Sequence, residues 1–212
     1  MEDCIFLVAD KQMESVFKGF LKERNNFHSS LGTRPFTCDI KADRAGNDPG
    51  LYTRSHELLR PYYRTHQHAV VVLDGDWQGA PEAEAIRTKI KGDLTSTGWH
   101  RGNIEVIVID PELEIWLWQD SPHIANAFQF NYHPHSSLKS WLEDKGLWPP
   151  TQLKPVQPKK AFELLSIEAH IPHSGAIYSK IVQRVSVNGC TDRAFRLLLE
   201  TLQRWFPPEG GL

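Results

Sequence analysis

Residues 68–77 read H-A-V-V-V-L-D-G-D-W. Positions 69–73 form an unbroken apolar run, too short for a typical helix and rich in β-branched residues. Such a run predicts a strand buried on both faces, as in the interior of a parallel sheet. It stops abruptly at Asp74-Gly75-Asp76. A buried strand that ends in two carboxylates around a glycine delivers them to its carboxyl end, where open α/β sheets bind their ligands.

Working outward, the same grammar recurs. Residues 4–9 (C-I-F-L-V-A) are a second apolar run, closed by Asp10. Met13, Val16, Phe17, Phe20 and Leu21 follow at helical spacing. Residues 25–34 read as a loop and residues 35–40 (P-F-T-C-D-I) as a weaker strand. After a turn-rich stretch at 43–50, Leu51, Ser55, Leu58, Leu59 and Tyr62 sketch a helix. Beyond the central run, Ala83, Ile86, Ile90 and Leu94 mark another helix, with Pro81 near its start and Gly98 past its end. Residues 104–109 (I-E-V-I-V-I) are a fourth strand, stopping at Asp110-Pro111. Alternating strands and helices over about 110 residues predict an α/β fold with a mostly parallel sheet flanked by helices.

From Pro111 the character changes. P-E-L-E-I-W-L-W predicts a short helix with a heavy aromatic load, and further short helices are expected near 125–130 and 138–142. Residues 149–158 hold four prolines and predict an exposed, extended connector. Helical patterns follow at 161–167, 176–185 and 194–205. The expected organisation is an α/β domain over residues 1–120 and a helical C-terminal region over 121–212.

Composition narrows the class. Apolar residues make up 40% of the 212 and charged residues 24%, ordinary for a globular protein. A net charge of -2 argues against binding nucleic acid by global charge alone. Three widely spaced cysteines without a C-x-x-C pair suit reduced thiols, and no run approaches a membrane span. The expectation is a cytoplasmic protein with no membrane partner.

Three expected strands end in aspartate: Asp10, Asp74 and Asp110. In a parallel sheet all three lie along one edge, where clustered carboxylates suit a hard divalent cation. For Asp10 and Asp110 helix capping competes with that role, and Pro111 and Glu112 after Asp110 look like first-turn residues. Asp74 and Asp76 lie too far from the next helix to cap it. Glu112 and Glu114 are two apart, so in a helix at most one would face the edge. Glu14 reads more readily as a helix N-terminal acid. The histidines match no zinc spacing. Trp116, Trp118, Trp141 and Trp205 fall in apolar helical patterns and read as core, and Lys154, Lys159 and Lys160 as a solvated linker cluster.

Together V-A-D-K-Q-M-E-S (8–15), V-V-V-L-D-G-D (70–76) and V-I-D-P-E-L-E-I-W-L-W (108–118) resemble the Toprim fold. More narrowly, they are similar to small Toprim-related proteins of bacterial phage-defence islands and to old-type (overcoming lysogenization defect) nuclease domains. The resemblance covers about residues 4–120. It implies Mg²⁺- or Mn²⁺-dependent phosphodiester chemistry in antiviral defence, acting on nucleic acid alongside other defence-system proteins. The family's D-x-D falls on Asp74 and Asp76. Its first-strand glutamate has no direct counterpart, because Ala9-Asp10 stands where Val-Glu-Gly is usual, and Asp10 is the stand-in. The resemblance thus implies Asp10, Asp74 and Asp76 as catalytic groups and metal ligands, and the acids of the sheet edge add Glu114 to the expected catalytic groups and Glu112 to the expected ligands. Two rivals stand beside it. One is a non-catalytic, Toprim-derived interaction subunit whose tryptophan-rich helices dock a partner. The other is a haloacid-dehalogenase-like phosphatase, which also carries D-x-D at a strand end.

Overall fold

The computed structural model describes residues 1–119, 121–187 and 190–208. Four strands, β1 (Glu2–Val8), β2 (Cys38–Ala42), β3 (His66–Asp74) and β4 (Ile104–Ile109), form one all-parallel sheet in the order β2-β1-β3-β4. The register brings their carboxyl ends level: Val8 pairs with Ala42 and with Val72, and Asp74 pairs with Ile109. β3 lies between β1 and β4, and its residues 69–73 are fully buried. The continuous apolar run therefore reports a strand with neighbours on both edges and helices on both faces.

Between the strands run α1 (Lys11–Lys18), α2 (Phe27–Leu31), α3 (Asp48–Leu59) and α4 (Ala83–Ser96). α1 continues into a wider, π-type turn at Gly19–Glu23. Right-handed crossovers place α1 on one face, and α3 and α4 together on the other. The chain leaves β1 toward β2 and leaves β3 toward β4, in opposite directions. The topological switch point therefore lies between the carboxyl ends of β1 and β3, where such sheets open a crevice.

The C-terminal helices are α5 (His123–Ala127), α6 (Leu138–Asp144), α7 (Pro158–Glu168), α8 (Gly175–Val182) and α9 (Arg193–Trp205). α8 packs on α1 and α9 on β4, so one apolar core runs from Cys4 to Phe206. Aromatic rings stitch it together: Phe195 of α9 meets Phe20 and Trp116, and Trp116 meets Phe17. On α9, Phe195, Leu198 and Leu202 are buried, worth roughly 1.5–3 kcal/mol each. At the opposite end of the sheet from Asp74, Trp205 stacks on His68 with centroids 4.3 Å apart. Burial pushes that imidazole down to about 4. Glu105, buried on β4, is matched by Lys91 at 2.6 Å, Arg87 at 3.5 Å and Arg204 at 3.7 Å, as a buried carboxylate requires.

Four sequence expectations change here, the first being α2, a short helix inside residues 25–34 that read as a loop. The segment after β4 is a single tight 3₁₀ turn, Leu113–Trp116, entered through extended backbone at Glu112. α3 begins at Asp48, inside the stretch expected to be a loop, because Asn47 caps it through Gly50 N–H at 2.6 Å. The proline-rich connector is bent and pinned rather than extended. Val156 N–H donates to Leu147 O, Lys154 Nζ donates to Ile115 O at 2.6 Å, and Pro155 and Pro158 are buried.

A core shared by both halves should unfold in one cooperative step. Gly19 sits so close to α8 that an added Cβ would lie 2.8 Å from Val182 Cγ2 and 3.0 Å from Ser179 Cα. Gly19→Ala should therefore cost about 1–3 kcal/mol in urea unfolding and lower a single transition without splitting it. Two separated transitions in the parent would contradict the shared core.

Candidate metal centre at the carboxyl edge of the sheet

β3 carries Asp74 to the switch point, and Gly75 turns the chain there while its N–H donates to Ile109 O at 2.7 Å. Oδ1 of Asp74 is buried and has no hydrogen-bond partner. An unpaired, desolvated carboxylate oxygen is unfavourable, and it commonly marks a group that awaits a proton, a cation or water. Asp74 N–H is satisfied by a residue that sequence reasoning did not single out: Asp48 Oδ1, at 2.8 Å, from the first turn of α3.

Around Asp74 stand four further acids from three segments of the chain. Asp10 follows β1, caps α1 by accepting from Met13 N–H at 2.8 Å, and still acts by charge on both Asp74 and Asp48. The two readings of Asp10, cap and site residue, are thus compatible. Glu112 and Glu114 both act on Asp74. The rule that only one could face the edge assumed an α-helix, and the extended backbone at Glu112 removes that constraint. Burial pushes the Asp74 carboxyl well above the usual carboxylate range, and Asp48, Glu114, Asp10 and Glu112 push it further. Burial also raises Asp48, Glu112 and Glu114, offset in part by Asp74 N–H, Lys159 and the Tyr178 hydroxyl respectively.

Asp76, the second acid of the D-x-D, is exposed and stands at the rim, where its charge reaches Glu112. Asp110 is exposed as well. It caps nothing, because the turn that follows begins beyond Glu112 and has no side-chain cap. Glu112, not Asp110, is the acid that β4 contributes to the cluster. Glu14 is taken up by Lys11 at 2.6 Å and Lys18 at 2.9 Å on its own helix.

The C-terminal region completes the site. The first turn of α7 brings Lys159 against Glu112, Nζ to Oε1 at 3.8 Å. Burial works against the Lys159 ammonium, but Glu112, Glu114, Asp74 and Glu163 more than offset it and raise its pKa. Lys159, although exposed, is therefore also a counter-charge to the cluster. Tyr178 of α8 donates to Glu114 Oε1 at 2.5 Å. Trp116, Trp118 and Trp141 are buried in the protein's own core, and Trp205 is partly buried against His68. Those indoles are not a free docking surface.

The donor set is all oxygen, the chemistry of Mg²⁺ or Mn²⁺, and Asp74 Oδ1 supplies an unclaimed donor at its centre. Among the described residues no three His, Cys, Asp or Glu side chains already converge closely enough to hold an ion. Comparison with known protein families, characterised proteins and solved structures finds no match for this chain. No helix among the described residues is long and apolar enough to cross a membrane.

The pH dependence of stability follows from these environments. A carboxyl whose folded pKa lies above its unfolded value keeps a proton that the unfolded chain has released. Native stability then falls as pH rises from about 4 upward. Without divalent ions, Asp74→Asn should melt above the parent at about pH 8 and lose less stability between about pH 5 and pH 8. Circular-dichroism melts in chelator at the two pH values measure this. A variant that melts below the parent at the higher pH would mean that attraction, not repulsion, surrounds Asp74.

Proposed function

We propose that this chain is a metal-dependent phosphodiester hydrolase, a Toprim-like nuclease whose ion sits on Asp74. The observation that carries the reading is the buried, unpartnered Asp74 Oδ1 at the topological switch point, ringed by Asp10, Asp48, Glu112 and Glu114. Asp74 and Asp10 would hold the ion, with Glu112 or Asp76 closing from the rim. A bound Mg²⁺ or Mn²⁺ would polarise a phosphoryl oxygen and lower the pKa of water at the site. Glu114, buried and bonded by Tyr178, would present its other oxygen to the ion or to the attacking water. Lys159 would face a phosphate oxygen. A role in bacterial antiviral defence rests on the sequence resemblance alone.

A second reading, a subunit that binds a partner without cleaving, is favoured by one observation. The described acids do not converge on a preformed ion site. Exposed Leu153 and Val156 on the connector offer such a subunit an apolar contact.

Mn²⁺ or Mg²⁺ should raise the melting temperature of the parent, by about 2.7 kcal/mol of native stabilisation at one hundred times the dissociation constant. Asp74→Asn should lose the shift and all Mn²⁺-dependent cleavage of single- and double-stranded DNA and RNA. Asp110→Asn, exposed and outside the cluster, should keep both. Ion binding without cleavage of any of these substrates would favour the second reading. An undiminished shift in Asp74→Asn would remove Asp74 from the site.

A further inference from the structure

Tyr178 is fully buried, yet its ring carries a hydroxyl into the core to meet Glu114 Oε1 at 2.5 Å. Burying a hydroxyl and a carboxylate is unfavourable unless each satisfies the other, and a phenylalanine at 178 would fill the same space without that requirement. The same hydroxyl is bonded by Nε2 of His173, a half-buried residue just ahead of α8. The imidazole also stacks on the Tyr178 ring, centroids 5.2 Å apart, and Phe162 of α7 lies against both rings.

A phenol has one proton. When it is donated to an ionised Glu114, the phenol oxygen is left as an acceptor only, and in that state His173 carries its hydrogen on Nε2 and donates. The result is a directed chain, imidazole N–H to phenol O–H to carboxylate. It fixes one oxygen of Glu114 while its carboxylate still acts by charge on Asp74. Three side chains at residues 114, 173 and 178 are thus linked across the join between the sheet edge and the C-terminal helices.

We propose that Tyr178, held by His173, is a positioning residue for the metal centre: it fixes one oxygen of Glu114 so that the other is presented toward a divalent ion seated on Asp74. This rests on the metal-centre reading above. It makes α8 part of the site rather than a packing helix alone. Metal centres depend in this way on the groups that orient their ligands.

The test is Mn²⁺ affinity, measured by calorimetry on the full chain, with a melt of each variant to establish folding. Tyr178→Phe should bind Mn²⁺ about ten- to a hundred-fold more weakly than the parent while remaining folded. His173→Leu, which removes the donor to the phenol, should weaken binding in the same direction, and His173→Gln, which keeps an N–H, should restore most of it. Val182→Ala, one turn further along α8, should lower stability with little change in affinity. Tyr178→Phe binding Mn²⁺ as the parent does would overturn the proposal. If Tyr178→Phe does not fold, unchanged binding in His173→Leu overturns it instead. Equal weakening in Val182→Ala would assign the effect to helix packing and overturn it too. A parent that binds no Mn²⁺ removes the metal-centre reading itself, and the proposal with it.

Discussion

A carboxyl group taken out of water needs a proton, a counter-charge or a full set of donors, and the carboxyl edge is arranged around one whose Oδ1 has no hydrogen-bond partner. β3 is flanked by β1 and β4 and covered on both faces, so its last residue is half-buried, with the Oδ1 of Asp74 out of water. Asp74 arrives with one oxygen unpartnered and among acids whose charge acts on it. The neighbours respond to that charge. Asp48 takes the Asp74 N–H, Lys159 leans against Glu112, and Tyr178 commits its proton to Glu114. Each softens the local electrostatics, but none reaches Asp74 Oδ1.

This gives the C-terminal region a purpose that its sequence does not advertise. The sheet and its crossover helices supply only acids to the edge. The cation and the hydroxyl come from α7 and α8, beyond residue 150. The bent connector makes that possible. Trp118 Nε1 donates to Pro158 O at 2.9 Å and Lys154 reaches Ile115 O, so the start of α7 is tied to the segment that carries Glu112 and Glu114. An exposed, extended crossing would have left Lys159 free to wander, whereas this one fixes the N-terminus of α7 against a carboxylate, the charge that a helix N-terminus favours.

What the sequence discloses and what it hides divide along the range of the interactions. The strands are legible because their apolar runs are local and two-sided burial leaves an uninterrupted pattern, as in residues 69–73 and 104–109. Asp74 is legible because it ends such a run. Asp48 is not, since D-P-G is the ordinary language of a turn and nothing local says that its carboxylate meets the backbone of residue 74. Lys159 and Tyr178 are hidden for the same reason: 45 residues separate Lys159 from Glu114, and 64 separate Tyr178 from Glu114. Asp110 misled in the opposite way. Its Asp-Pro-Glu context fits a helix start, but the chain enters a 3₁₀ turn through extended backbone, and the acid that matters moves two positions on to Glu112.

The balance of charge bears on whether the edge is a working site or a relic. Asp10, Asp48, Asp74, Glu112 and Glu114 are set against Lys159, in a setting where burial raises four of the five acids. Such an arrangement is a standing cost to the fold. A single amide at 74 would relieve much of it, and substitutions that remove strain of this kind commonly stabilise a protein at the expense of its function. A purely structural edge has no physical reason to keep five carboxylates at one strand terminus, because one or two would satisfy the helix N-termini nearby. The acids also lie at the switch point between β1 and β3, where the crossovers part and where open α/β sheets commonly bind their ligands. Repulsion among the acids and an unclaimed oxygen are what the proposed divalent ion would relieve, and the interaction-subunit reading gives neither a role.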